Sequence, residues 1–233
     1  MKAVLMAGGL GTRLRPVTYE IPKPLLSVKK RPIINYLIEL FDKHGVTEVG
    51  ILASEAHRED FQRWAKTWKD ELPRKKVIIF FEPAPRGTFG GLRDLRKWLG
   101  NEPFFVSNAD ELKDFDLARL AEFHKQQGSV ATLALVEVPN AQDYGVPILD
   151  NGLIKEFLEK PKEPPSSFIN SGLYVFSPEV FSYADPDKDF LMNETDIFPA
   201  LAAQGKLSGL RMEDARWYDC GTLERWEKAI NEW

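Results

Sequence analysis

Short runs rich in Val, Ile, Leu and Phe alternate along this chain with segments whose apolar residues fall three and four apart, and no other feature narrows the fold as much. Lys2–Ala7, Glu48–Ala53, Val77–Phe81, Pro103–Ser107 and Val130–Val138 are each followed by polar or glycine punctuation, the mark of buried strands. Between them, Ile33–His44, Phe61–Trp68, Leu92–Leu99 and Leu117–Phe123 carry helical periodicity. Parallel strands need a crossover, usually a helix, so strict alternation predicts an α/β fold with a doubly wound, mainly parallel central sheet. Ligands bind such sheets outside the carboxyl ends of the strands, so chemistry is expected in the loops that follow them.

From about Pro139 the rhythm shifts to strands with fewer helices: Leu153–Phe157, Gly172–Phe176, Leu207–Met212 and Arg216–Tyr218, then a helix over Leu223–Glu232. This predicts a second lobe within one compact unit, and the Pro161–Pro165 stretch is a loop between strands. A chain of 233 residues is long enough to hold such a core without a disulfide. The single Cys220 has no internal partner in any case. The apolar stretch Ala3–Ala7 is too short for a signal sequence, and Val130–Val136 falls far below the ~20 residues of a membrane span. A cytoplasmic protein that does not enter a membrane is expected. Its formal charge of -4 gives no general attraction to nucleic acid, so any anion site must be local.

Such a site is written directly after the first strand, in Gly8-Gly9-Leu10-Gly11-Thr12-Arg13-Leu14-Arg15-Pro16, with Thr18 and Pro22-Lys23-Pro24 beyond. Three glycines in four positions let the backbone approach a ligand and turn its N–H groups toward phosphate oxygens. From Arg13 to Arg31 the charges are Arg13, Arg15, Lys23, Lys29, Lys30 and Arg31 against Glu20 alone, which points to a polyphosphate. A dinucleotide fingerprint starting at Gly9 would need glycine or alanine at Leu14. A P-loop needs Ser or Thr after Gly-Lys, and Gly205-Lys206 is followed by Leu207. Both common phosphate motifs are excluded.

The segment resembles the sugar 1-phosphate nucleotidyltransferases (NDP-sugar pyrophosphorylases), whose signature reads G-G-x-G-T-R-L-x-P-x-T followed by P-K-P. Later blocks follow in that family's order: Glu82-Pro83, Gly87-Thr88, Gly90-Gly91-Leu92, Asn108-Ala109-Asp110, Tyr144-Gly145-Val146, Glu159-Lys160-Pro161, Asn170-Ser171-Gly172-Leu173-Tyr174 and Asp219-Cys220-Gly221-Thr222. The pattern is closest to the short mannose or heptose 1-phosphate guanylyltransferases. The resemblance implies a Rossmann-like nucleotidyltransferase domain over residues 1–233. Residues 1–138 would form the nucleotide-binding part, and 139–233 the small sugar-binding lobe and C-terminal helix.

The resemblance also assigns roles. Arg13 and Lys23 would hold the triphosphate and the leaving pyrophosphate as the catalytic cations. Ala7, Gly8, Gly9, Gly11, Thr12, Glu82, Gly87, Thr88 and Asn108 would bind the nucleotide. Gly145, Glu159, Lys160 and Asn170 would take the sugar phosphate, and Asp110 and Asp219 would hold Mg²⁺. Ala109 stands where the family usually has glycine. Glu82 occupies a position where pyrimidine-using relatives often carry glutamine, and a carboxylate accepts well from the two adjacent N–H donors of guanine, a lean toward GTP. The expected partners are an NTP and a sugar 1-phosphate, with monomer or homodimer left open. With the chain ending at Trp233, no hexapeptide-repeat acyltransferase domain is expected.

Rival readings remain at this level. A uridylyl- or thymidylyltransferase would share every motif but the base preference. A metal-dependent glycosyltransferase of the GT-A kind could use Asp114-Phe115-Asp116, although Asp116 is better placed to cap the helix beginning at Leu117. A silent nucleotide-sugar-binding regulator would have no need of Arg13, Lys23, Asp110, Lys160 and Asp219 together. His44, His57 and His124 have no partners at ligand spacing and are expected to be structural, as is the Trp64/Trp68 stripe.

Overall fold

A computed structural model of the protein describes residues 1–72, 76–213 and 215–233. The strands follow as β1 (Lys2–Ala7), β2 (Ser27–Val28), β3 (Arg31–Pro32), β4 (Glu48–Ser54), β5 (Lys76–Glu82), β6 (Phe104–Asn108), β7 (Glu111–Lys113), β8 (Ala131–Glu137), β9 (Gly145–Asp150), β10 (Leu153–Glu159), β11 (Phe168–Phe176), β12 (Leu207–Arg211) and β13 (Trp217–Asp219). The helices are α1 (Val17–Glu20), α2 (Ile33–Lys43), α3 (Arg58–Trp68), α4 (Gly87–Gly90), α5 (Arg96–Leu99), α6 (Leu117–Gln127), α7 (Phe198–Ala203) and α8 (Leu223–Glu232). They form two compact units interleaved in sequence. The first is Met1–Pro85, Ser107–Phe115 and Arg216–Trp233; the second is Arg86–Val106 and Asp116–Ala215.

In the first unit β1, β4 and β5 lie side by side in the order β5-β4-β1, all parallel, with Leu5 opposite Ile51 and Ile51 opposite Ile79. Ala3, Val4 and Leu5 of β1 and Val49 through Ser54 of β4 are buried whichever way they point, as a strand covered on both faces requires. Ile33, Ile34, Leu37, Ile38 and Phe41 of α2 form the stripe that the periodicity predicts. On α3 only Phe61 and Trp64 are buried, and the Trp64 indole N–H donates to Asn35 Oδ1 at 2.8 Å, so this stripe is packing. The two-stranded pair β7–β13 is antiparallel, with Asp219 opposite Glu111. Helix α8 begins at Thr222, whose hydroxyl accepts from the Arg225 N–H at 3.3 Å.

In the second unit the order is β11-β8-β12-β10-β9, with β8 and β12 parallel and the β11–β8, β12–β10 and β10–β9 pairs antiparallel. Ala131 through Val136 of β8 are all buried. Tyr174 stacks on Phe176 at 5.4 Å, and Phe157 meets Phe198 edge-on at 5.2 Å, so aromatic rings fill much of this core. The Asp116 side chain accepts from the Arg119 N–H at 3.0 Å and caps α6, so this carboxylate of the Asp-x-Asp sequence is spent on the helix.

Several local readings differ from the structure: β2, β3 and β7 are not among the expected strands, and α3, α6 and β11 run three or four residues beyond their expected bounds. The expected Leu92–Leu99 helix is instead a 3₁₀ stretch, Gly91–Leu95, leading into the single turn α5, which Gly100 ends at φ +81°. Its entry is pressed against backbone: a Cβ on Gly90 would stand 2.5 Å from the Asp189 carbonyl oxygen. β9 has no counterpart in the sequence reading because Pro147 interrupts its pattern, a residue tolerated on this strand at the end of the order. α7 is too short for periodicity to reveal, and tertiary packing of Phe198, Leu201 and Ala202 carries it.

Candidate active site

The first strand delivers the glycine turn. Gly11 has φ +60°, and the Thr18 hydroxyl donates to its carbonyl at 2.8 Å. A Cβ on Gly11 would meet Thr18 Cγ2 at 2.9 Å, so glycine is required both by conformation and by space. Leu14 is buried beneath the turn, while Thr12 and Arg13 are exposed above it. Ala7 is buried at the end of β1, and a Cβ on Gly9 would meet nothing within 4 Å, which leaves that stretch of backbone open. A Cβ on Gly8 would stand 2.8 Å from Oε2 of Glu82, so the buried carboxylate at the end of β5 lies directly against the turn.

Acids and bases from distant parts of the chain meet in the same unit. Lys23 is buried and its ammonium donates to Asp110 Oδ2. Burial pulls Lys23 down, but Asp110, then Asp219 and Glu111, more than offset this and hold it above the usual lysine value. Burial likewise pushes Asp110 up, and Lys23 with Lys113 outweighs it, leaving the carboxylate below its usual range. Asp110 is therefore ionised at neutral pH and already has a cation beside it.

Asp219 reaches this place through the β7–β13 pairing, which the Cys220 N–H extends by donating to the Asp110 carbonyl at 3.3 Å. Its Oδ2 accepts from Arg225 Nη1 at 2.7 Å. A Cβ on Gly221 would stand 2.7 Å from Asp219 Oδ1 and 3.2 Å from Arg13 Nη2, which explains the glycine and brings Arg13 to the same spot. Cys220 is buried; desolvation, with Asp110 beside it, pushes its thiol up to about 12, so it is no nucleophile at neutral pH.

Beneath the acids is a polar layer that the sequence reading missed. Lys113 is fully enclosed and pairs with Glu111 at 2.9 Å, and it donates to Ser107 Oγ at 3.1 Å. Glu111 also accepts from Asn108 Nδ2 at 3.0 Å and from the Trp217 indole at 2.9 Å. Burial, with Asp110 and Asp219 nearby, holds Glu111 above the ordinary glutamate value against the pull of Lys113. The side-chain amide of Asn108 is thus engaged inward, while Ala109 is buried with its N–H donating to the Met6 carbonyl at 3.2 Å.

The remaining sequence-predicted residues belong to the second unit. Glu159 ends β10, and Lys160 follows at φ +49° with its ammonium 3.1 Å from Glu159 Oε1. A Cβ on Gly145 would clash with the Phe157 ring at 2.3 Å and approach Glu159 Oε2 at 3.1 Å, so the glycine leaves that carboxylate uncovered. The amide of Asn170 donates to the Tyr174 hydroxyl at 2.9 Å and accepts from the Gly172 N–H at 3.1 Å. Gly87 and Thr88 lie here too, and the Thr88 hydroxyl donates to Glu194 Oε2 at 2.7 Å. Nothing in the sequence pattern marks Glu194.

Among the described residues no group of three or more His, Cys, Asp or Glu is placed to hold a metal alone. Mg²⁺ does not need one, since it is usually held by one or two carboxylates together with substrate phosphates and water. Two hard carboxylates, both close enough to raise Lys23, fit that requirement.

The chain belongs to the nucleotidyl transferase family, whose model matches residues 2–233. It is 37% identical over 225 residues to the mannose-1-phosphate guanyltransferase beta-A of Xenopus laevis, covering 95% of this chain and 61% of that protein. The chain therefore spans about three fifths of the length of such curated relatives. A putative glucose-1-phosphate thymidylyltransferase from Bacillus anthracis superposes with TM-score 0.89 at 27% identity, covering 99% of this chain and 94% of that one. HddC from Yersinia pseudotuberculosis, complexed with GMP-PN, superposes with TM-score 0.82 at 27% identity, covering 99% and 98%. These neighbours share the mixed α/β architecture that the alternation of strands and helices implies. No helix among the described residues is long and apolar enough to cross a membrane.

Proposed function

We propose that the chain joins GTP to mannose 1-phosphate, or a heptose 1-phosphate of like shape, releasing pyrophosphate and forming a GDP-sugar. The observation that carries the reading is the meeting, in one unit, of the Thr18-braced glycine turn, the buried Lys23–Asp110 pair and Asp219. A phosphate oxygen of the sugar 1-phosphate attacks the α-phosphorus, the bond to the β-phosphate breaks, and the electron pair leaves on pyrophosphate. Little covalent work falls to the protein, so positioning and charge neutralisation dominate.

The turn's backbone and Arg13 would hold the triphosphate, and Lys23 would stabilise charge growing on the leaving group. Asp110 and Asp219 would hold Mg²⁺, which supplies charge neutralisation and Lewis-acid polarisation of phosphate oxygens when bound. Lys23 keeps Asp110 ionised, and Arg225 orients Asp219, until then. Lys160 would hold the acceptor's phosphate, with Glu159, Asn170 and the uncovered edge at Gly145 facing the sugar. Glu82 suits the adjacent donors of guanine. The relatives named mannose-1-phosphate guanyltransferases, and the neighbour complexed with GMP-PN, support the same base and sugar. A cytoplasmic location, where GTP and sugar phosphates are present, belongs to this proposal.

Pyrophosphate release should be measured for each NTP against mannose, heptose, glucose and amino-sugar 1-phosphates, with and without Mg²⁺. One strong combination at GTP, dependent on the metal, is expected. Strong turnover of dTTP with glucose 1-phosphate would keep the reaction and reassign both substrates, and no pyrophosphate from any combination would end the proposal.

A further inference from the structure

We infer that Glu194, positioned by Thr88, is the residue that discriminates among sugar 1-phosphates by accepting a hydrogen bond from a sugar hydroxyl. This rests on the proposed reaction and adds to it a residue that no motif marks. Glu194 lies in the single π-turn Asn193–Ile197, a widened turn that re-aims side chains and occurs frequently at functional sites.

The turn is held firmly. The Thr88 hydroxyl donates to Glu194 Oε2 at 2.7 Å and accepts from the Asn193 N–H at 2.7 Å, while Asn193 Nδ2 donates to the Thr88 carbonyl at 3.1 Å. The Phe89 N–H also donates to the Leu191 carbonyl at 2.9 Å. Gly87 at φ +79° makes that close approach feasible, since a Cβ there would stand 2.2 Å from the same oxygen. The Thr88 hydroxyl proton is therefore committed to orienting Glu194.

The half-buried Glu194 carboxylate accepts from the Thr88 hydroxyl and from its own backbone N–H, which leaves lone pairs of its acceptor sites for a ligand. Its charged neighbours are Glu159 and Lys160, the pair already proposed to face the sugar phosphate. Burial holds the Glu194 carboxyl above its usual range, against the pull of Thr88 and Lys160. An acceptor with restricted hydration, beside a second carboxylate and one lysine, suits the neutral donors of a polyol. A sugar carrying its own carboxylate, such as a uronic acid 1-phosphate, would be repelled by Glu159 and Glu194 together.

The test is calorimetric binding of mannose 1-phosphate, its singly deoxygenated analogues and glucuronic acid 1-phosphate to the full chain, alongside GTP binding and turnover. Glu194→Ala is expected to weaken mannose 1-phosphate binding by about tenfold to a hundredfold, the range for a hydrogen bond to a charged group. One deoxy analogue, weak with the wild type, should bind that variant as well as the parent sugar does. Glu194→Gln keeps the shape and should bind glucuronic acid 1-phosphate better than the wild type. Thr88→Val should weaken the sugar only several-fold, and Thr88→Ser should restore it, while the two Glu194 variants keep the GTP affinity of the wild type. Equal losses for every analogue, equal losses for GTP, or a wild type that binds no sugar phosphate would each overturn the inference. Intact, Glu194-dependent sugar binding without pyrophosphate release from any NTP would instead overturn only the proposed reaction.

Discussion

The two units solve the problem of a polar interior differently. The first holds charge in buried or half-buried pairs: Lys23 with Asp110, Lys113 with Glu111, Arg225 with Asp219. The second buries a largely neutral network, in which His124 lies 2.8 Å from Thr132 Oγ1 and 2.9 Å from Ser177 Oγ, and Thr132 lies 2.7 Å from Ser208. Even its candidate sugar-reading acid is held by a hydroxyl. The contrast follows the proposed ligands. A triphosphate with its metal brings formal charges that can replace one partner of each pair, whereas a sugar brings neutral donors that need fixed acceptors.

The sharpest way to break this contrast is at Asp110. Asp110→Asn should lower kcat on the order of 10³-fold, because Lys23 and the Mg²⁺ of the proposed reaction would both lose their anionic partner. Full turnover by that variant would reduce the ion pair to a structural feature. Lys23→Met should cost roughly 10²-fold in kcat with little change in sugar affinity; an effect confined to sugar binding would contradict its assignment to the leaving group.

The neutral network makes the opposite kind of prediction, in pH. Burial lowers His124 from 6.5 to about 4, so the folded state keeps the ring neutral where the unfolded chain would protonate it. Its contribution is complete above the unfolded value and is lost as pH falls through that window, roughly 3 kcal/mol in all. Denaturant unfolding of wild type and His124→Gln between pH 7 and pH 4 should show a steeper loss in the wild type. Parallel curves would mean that His124 titrates normally. The smallest effect is expected at Thr18. Thr18→Val deletes the bond to the Gly11 carbonyl and should cost about 1 kcal/mol in stability while raising KM for GTP several-fold; an unchanged KM would detach the turn from nucleotide binding.

Much of the architecture was legible because buried strands announce themselves. β1 matches the expected bounds residue for residue, and β4, β5, β6 and β8 differ by only a residue or two. Periodicity also located α2 and α8 closely. It failed over Leu92–Leu99, where Gly90 and Gly91 and close backbone contact override the apolar spacing. In the site, glycines and the signature cations were legible because their chemistry is local. Glu111 and Lys113 were not, since alternating charge reads as solvated surface until a partner buries it. Glu194 was missed for a related reason, since it acquires meaning only from Thr88, far away in the chain, and Arg225 was missed because its bond to Asp219 depends on how the turn between them folds.

Residue order alone determined the α/β rhythm, the positive-φ turn at Gly11 and the capping of α6 by Asp116, because each depends on neighbours within a few positions. Tertiary structure decided which carboxylates meet. Asp219 stands near Asp110 because β13 pairs with β7, and Glu194 is aimed because its turn is bonded to Thr88. Register between distant segments is chosen by the packing of whole elements, and no short window of sequence contains that information.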